Sequence, residues 1–373
     1  MGIQSASATF TRFYVEDPVR KDFWGAVEKG LKAGSLKDIT EGHSQSAGFS
    51  SWDDLFDTSF DFASYHKAEY VAFHFRLDQR KVPPILLKQY TRIAFQEYRD
   101  EHEGKWPGRK EKLRIRDDVL LQLMDRTLPK PSACQIVWNT QRQWMLMGTT
   151  SKRMLDASWE HLESHLQIHP VPLFHVQWAL RLLSPRASER AVLDSLVSPE
   201  SHDAFFEGRF LGYEFLTWLW FLSETADGKI RLEDGREAEV HLGDHLNLSL
   251  PDDGNERVIC TTQASDLHEA RTALQHGKLV EEAQLFIKMG ENEYFLRLDT
   301  NLWAVRGLRT PKQMKDQVEE DLDGLFLEKM YFLEEVFACL DALYGQFLSL
   351  RLNPEWDAKT KPHLKKWFND SGR

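Results

Sequence analysis

The chain has 373 residues, of which 42% are hydrophobic and 28% charged, and its formal net charge is −11. That balance reads as folded and globular, with room for two or so domains, and it excludes wholesale disorder. Cys134, Cys260 and Cys339 are odd in number and far apart, so a disulfide framework and a CxxC metal site are excluded and a reducing, cytoplasmic setting is expected. The N-terminus lacks the charged and apolar regions of a secretory signal, so no export is expected. The most apolar run, Phe210 to Leu222, is too short to span a bilayer and carries Glu214, so it is expected to be buried in protein.

In chain order, Ala8 to Glu16 reads as a strand, and Asp17-Pro18 as the N-cap and first turn of a helix reaching Lys32. Thr40 to Tyr65 mixes Ser, Gly, Asp and Phe irregularly before a clear strand at Glu69 to Leu77. A helix from Ile85 to His102 ends in an acidic turn (Glu97, Asp100, Glu101, Glu103). The sign of the charge then reverses. Lys105, Arg109, Lys110, Lys112, Arg114 and Arg116 stand against the single acid Glu111, at the head of a helical pattern reaching Leu128. Local Lys and Arg density, rather than net charge, governs phosphate contacts. The wheel places these cations on both sides of the apolar arc, so the run reads as a basic loop and first turn mounted on a buried helix.

Leu128-Pro129-Lys130-Pro131 ends that helix. Cys134 to Asn139 and Gln143 to Gly148 follow as a hairpin anchored by Trp138 and Trp144, then a helix from Ser151 to Leu166 and a turn at Pro170 to Pro172. Beyond a helix at Val176 to Leu183 lies the aromatic block Gly208 to Phe221. Asp234-Gly235 marks a hairpin between Lys229–Leu232 and Glu237–Leu242. A strand at Arg257 to Thr262 and a helix at Asp266 to His276, stopped by Gly277, precede a third hairpin, Leu279–Met289 with Glu293–Leu298. From Asp316 to Leu352 no proline interrupts an amphipathic helix whose seam is Phe326, Met330, Leu333, Phe337, Leu340, Tyr344 and Phe347. Core packing is the expected use of that seam, with a subunit contact as the other reading. Acids crowd the same helix between Glu319 and Asp341.

The chain carries no P-loop, GxGxxG, GxSxG or HExxH pattern. His161, His165 and His169 recur every four residues around Glu163, as ligands on one helix side would, and Asp53, Asp54, Asp57 and Asp61 form an acidic group of the kind that holds Mg²⁺. A satisfied helix face and a solvated loop are the plainer readings of the two sets, and no metal or other cofactor is expected.

Taken together, several segments resemble the bacterial recombination-associated RdgC family. They are the aromatic first strand (Phe10 to Tyr14), Gly48-Phe49, the entry Val82-Pro83-Pro84-Ile85, the basic lead-in to a helix ending at Leu128-Pro129, the Trp-bearing hairpin, His276-Gly277-Lys278-Leu279-Val280 and the long C-terminal helix. Residues 205–244 look like an insertion. The resemblance implies an α+β chain with antiparallel sheets and flanking helices, its horseshoe-shaped subunits closing into a ring-shaped homodimer around DNA. It also implies a non-catalytic, nucleoid-associated protein of little sequence preference that restrains recombination by competing with the RecA recombinase. Duplex DNA is the implied partner, and single-stranded DNA stays open. The expected DNA-contacting residues are Lys105, Arg109, Lys110, Lys112, Arg114, Arg116, Lys130 and Lys278. A lysine of the family falls near Thr262 here, and its Leu-Pro-Arg-Ala-Phe turn reads Leu128-Pro129-Lys130-Pro131-Ser132. The expected division is 1–175, a sheet-rich 176–310, and a helical tail 311–373. Two other functions compete: a metal-dependent nuclease using Asp53 to Asp61 or the histidine set, and an adaptor binding a protein through the acidic C-terminal helix.

Overall fold

The computed structural model describes residues 2–16, 22–40, 43–61, 64–173, 175–184, 186–196, 209–250, 253–260, 268–312 and 321–369. The chain folds as two units that interleave in sequence: 1–16, 141–151 and 170–373 form one, and 17–140 with 152–169 the other. In chain order the elements are β1 (Ala8–Val15), α1 (Phe23–Ala33), β2 (Gln45–Ser50), β3 (His66–Lys67), β4 (Tyr70–Gln79), α2 (Pro84–Glu101), α3 (Arg109–Arg126), β5 (Lys130–Asn139), β6 (Trp144–Met147), α4 (Lys152–His161), β7 (Pro170–Pro172), α5 (His175–Leu183), α6 (Ala187–Leu196), α7 (Arg209–Thr225), β8 (Lys229–Arg231), β9 (Glu237–Leu250), β10 (Asp253–Cys260), α8 (His268–Gln275), β11 (Leu279–Met289), β12 (Asn292–Asp299), β13 (Ala304–Arg309), α9 (Leu322–Arg351) and α10 (Lys361–Asn369). The class is α+β with antiparallel pairing, as expected.

In the 17–140 unit the sheet runs β2-β4-β5, with β3 on β4. β4 and β5 pair over ten residues, from Tyr70 opposite Asn139 to Gln79 opposite Lys130. β4 is covered on both faces, Val71, Ala72, Phe73 and Phe75 all being fully buried, as a near-continuous apolar run in a central strand requires. Strand β2 corrects the irregular reading of Thr40 to Tyr65. Its Gln-Ser-Ala-Gly-Phe-Ser sequence has no β-branched residue, and only pairing with β4 makes it extended. Gly48 is required there, since a Cβ at this position would lie 2.5 Å from the Leu36 backbone. α1 begins at Phe23, later than the Asp17-Pro18 expectation, whose residues lie outside those described.

Helices α2 and α3 pack against each other, and Arg80 just beyond β4 reaches Asp125 of α3 (3.5 Å). Contrary to the expected buried helix, only Val119 and Leu123 of α3 are covered, and α2 buries no residue. Ten of the eighteen α3 residues are charged and crowd the edges of its apolar arc, and the fold covers that arc only at Val119 and Leu123.

In the other unit the sheet order is β10-β9-β11-β12-β13-β1-β6, with β7 on β1 and β8 on β9. Pro170–Pro172 is therefore a strand rather than a turn, pairing with Phe13 to Val15. β13 is an element that the sequence pattern does not predict, and it pairs with both β12 and β1. Gly235, at φ +86°, closes the β8–β9 hairpin as its Asp-Gly signal predicts. The seam of α9 is core: Phe326, Met330, Leu333, Phe337, Leu340, Tyr344 and Phe347 are all buried within the chain. Phe337 meets Phe10 and Trp144 edge-on at 5.7 and 5.5 Å, and Tyr344 stacks on Trp178 at 4.6 Å. α7, the aromatic block, buries Phe215 against Tyr344 and Phe347. Among the described residues no helix is long and apolar enough to cross a membrane.

Three acids of α9 are used internally. Asp341 takes a two-pronged pair from Arg12, whose guanidinium lies 4.3 Å from the Phe337 ring centre, Glu334 pairs with Arg142 (2.8 Å), and Glu335 is buried. Those pairings remove the basis for a partner-binding acidic face at these positions. Lys329, also on α9, is buried and donates to Thr310 Oγ1 (3.0 Å) and the Ser5 carbonyl (3.3 Å), and burial pulls its ammonium down to about 8. A lysine that loses its proton more readily folded than unfolded makes stability rise as pH climbs from that value toward the unfolded one. Urea unfolding of the wild type is expected to gain about 1 kcal/mol per pH unit over Lys329→Met between pH 8 and 10; parallel curves for the two proteins would refute the assignment.

Candidate nucleic-acid interface

The basic run is displayed on the loop and first two turns of α3. Lys105, Arg109, Lys110, Lys112, Arg114 and Arg116 are all exposed. Arg114 faces Glu111 (3.6 Å) and Asp118 (3.9 Å) on its own helix, and the other five form no ion pair among the described residues. Arg109, Lys110 and Lys112 lie in the first turn of α3, at the positive end of its dipole, with Glu111 alone to offset them. Cations there are held against the helix field, and an external anion relieves that repulsion while meeting the free N–H groups of the first turn. Lys130 opens β5 at the edge of the same unit and is exposed.

Lys278 belongs to the other unit, immediately past Gly277, which takes φ +84° at the end of α8 as the expected helix stop requires. A second cationic face lies in that unit, one that the sequence reading does not single out. On α10 Leu364 is buried, Trp367 is half-buried, and Lys361, Lys365 and Lys366 fall on the opposite side, exposed. Trp367 fixes the helix by packing on Trp220 (5.1 Å) and donating from Nε1 to Glu224 (2.9 Å). Its sequence signal is four lysines between 359 and 366 with no acid among them, hidden behind the stronger α9 pattern. The position near Thr262 lies outside the described residues.

Neither candidate metal set assembles. Asp53 pairs with Lys67 (3.2 Å), Asp54 accepts from the Phe56 N–H (2.9 Å), and Asp57 accepts from the Ser59 N–H (2.8 Å), a bond that holds its carboxyl below the usual range. These are turn-forming roles. His161 and His165 lie 5.7 Å apart but pack on Phe49, and His169 turns to Glu163 (3.3 Å). Among the described residues no three His, Cys, Asp or Glu side chains are grouped to hold a metal ion. Cys134 and Cys339 are buried thiols, with burial pushing both up to about 12, so neither is a nucleophile at neutral pH.

The RdgC family, described as "Putative exonuclease, RdgC", matches residues 13–182. Over this segment, a little under half of the chain, the sequence is similar to the RdgC family. The RdgC match takes in the basic run and Lys130 and stops short of α7, Lys278 and α9, so the expected resemblance is recovered in the first half of the chain. No curated protein matches the chain.

Proposed function

We propose that this chain binds duplex DNA with little sequence preference and acts by occlusion, restraining recombination by limiting the access of RecA. The observation that carries the reading is the exposed, largely unneutralised run Lys105 to Arg116 on a chain of net charge −11. A cationic lining on an otherwise acidic protein suits a ring, because only the surface facing the DNA has to attract phosphate. Lys130 and Lys278 are proposed as further DNA contacts, each on its own unit, and no catalytic residue is assigned. The fitting experiment is a duplex-binding titration in a salt series, with Mg²⁺ and EDTA arms on the same labelled DNA. Binding without cleavage agrees with occlusion, whereas EDTA-sensitive cleavage would restore the nuclease reading.

The proposed assembly is a homodimer of horseshoe-shaped subunits in the nucleoid. Support comes from the outer face of α2, where Ile85, Leu86, Tyr90 and Ile93 are exposed, Ile85 to 77%. An apolar stripe of this kind on a soluble protein marks a protein contact. Tyr90→Glu with Ile93→Glu is expected to move the light-scattering mass from about twice 43.5 kDa to the single-chain value. A wild type that is already monomeric at micromolar concentration would end the dimer proposal.

A further inference from the structure

Beside β1 and α9 lies a cavity of about 380 Å³, contained within the unit formed by 1–16, 141–151 and 170–373. Its volume falls within the range of about 300–1,000 Å³ that ligand pockets occupy. Trp144, Phe337 and Leu173 give it apolar walls, and three arginines and four carboxylates line the rest. Most of these charges are already matched. Arg12 holds Asp341 (2.9 Å), Arg142 holds Glu334 (2.8 Å), and Asp234 is held by Arg236 (2.7 Å). One cation and one acid are left over: Arg181 of α5 and Glu233 of the β8–β9 turn, both exposed, and neither in an ion pair among the described residues.

The sheet fixes where Arg181 sits. Tyr14 and Trp144 are register partners across β1 and β6, so their side chains leave the same face, and the Arg181 guanidinium lies 3.4 Å from the Tyr14 ring centre. Arg12 leaves that face two residues before Tyr14, is only 7% exposed, and has an Nε–H without an acceptor. A buried donor left unpaired is costly, and this one belongs to a side chain in the cavity wall.

We infer that this cavity binds a small zwitterion, an α-amino acid or dipeptide with a large apolar side chain, its carboxylate on Arg181, its ammonium on Glu233 and its side chain against Trp144 and Phe337. The class of ligand follows from which charges remain. A polyanion meets a single unmatched arginine among four carboxylates, which repel it. An amine without a carboxylate leaves Arg181 unused and faces three guanidinium groups. An uncharged apolar ligand strips water from both unmatched groups and returns no partner to either. A molecule with one charge of each sign and an apolar body suits all the walls together. Such a ligand also ties α5 to the β8–β9 turn beside α9, so it stabilises the folded chain by mass action. This site goes beyond the DNA-binding reading and does not depend on it.

The test is isothermal titration calorimetry on the full chain, with L-phenylalanine and phenylalanyl-leucine as probes beside phenethylamine, phenylpropionate and N-acetylphenylalanine amide. The better zwitterion is expected to bind at least about ten-fold more tightly than each of the three analogues, the discrimination that a charge-assisted hydrogen bond supplies. Tighter binding of the dipeptide assigns the site to short peptides, and the reverse assigns it to free amino acids. Arg181→Gln is expected to remove the advantage over phenethylamine, and Glu233→Gln the advantage over phenylpropionate. Both side chains are exposed, so an unfolding midpoint unchanged in the absence of ligand checks that the variants keep the fold. No heat and no thermal shift with either zwitterion up to about 10 mM overturns the assignment. Equal binding of the blocked amide does the same, as do variants that weaken the zwitterion and every analogue alike, the pattern of a merely structural role.

Discussion

Exchanging Arg109, Lys110 and Lys112 together for glutamate is expected to weaken duplex binding on the order of 10²- to 10³-fold at low salt, and by the same factor on every duplex sequence. The size follows from counterion release. Each phosphate neutralised by the protein contributes about −0.9 to the slope of log affinity against log salt, so losing three contacts makes the slope shallower by about 2.7. The three side chains are exposed and crowd the positive end of α3, so their removal costs the fold little and relieves a repulsion. Loss of affinity with unchanged thermal stability is therefore the expected pair of observations. A companion variant separates local from global electrostatics: Lys361→Glu, Lys365→Glu and Lys366→Glu change the net charge by the same amount on α10. Its loss is expected to be much smaller. If the two variants lose affinity equally, net charge governs binding and the Lys105 to Arg116 surface has no special place.

The cationic run is legible in the sequence because it is a local property, needing only the counting of charges along twelve residues. The helices around it are equally legible, since Val82-Pro83-Pro84 and Leu128-Pro129 punctuate them. Their exposure is not. Periodicity says which residues share a face but not whether anything covers it, and α3 has an apolar arc that the fold leaves largely open. β2 and β13 are hidden for a related reason. Gln45 to Ser50 and Ala304 to Arg309 carry weak strand preferences, and each becomes a strand through partners distant along the chain. The interleaving of the two units is likewise a product of tertiary pairing, and no change of composition marks residues 16, 140, 151 or 169.

Glu335 carries the largest expected effect on stability. Its carboxylate, on the buried side of α9, accepts from Arg236 Nη1, Asn292 Nδ2 (2.9 Å), the Tyr294 hydroxyl and the Tyr331 hydroxyl (3.1 Å). α9 is thereby tied to the β8–β9 turn through Arg236 and to β12 through Asn292 and Tyr294. Burial alone would raise the carboxyl, but the four donors outweigh it and hold the group below its usual range. Burial, together with that same hydrogen bond, raises the Tyr294 hydroxyl. Glu335→Ala strips an acceptor from four donors at once. Breaking a buried pair costs about 3–5 kcal/mol, and because Arg236 is partly exposed and keeps Asp234 at 2.7 Å, a loss of about 2–4 kcal/mol is expected here. Glu335→Gln retains an acceptor oxygen and is expected to lose about half as much. The pH dependence has a definite sign. A carboxyl whose folded pKa is depressed contributes its full stability above the unfolded value of about 4.3 and loses it as pH falls through the lower, folded value. The gap between wild type and Glu335→Gln in urea unfolding is thus expected to be constant from pH 6 to 8 and to close on acidification below pH 4. A gap that persists unchanged at pH 3, or a Glu335→Ala protein within about 0.5 kcal/mol of wild type at pH 7, would show that α9 is held by its apolar seam alone.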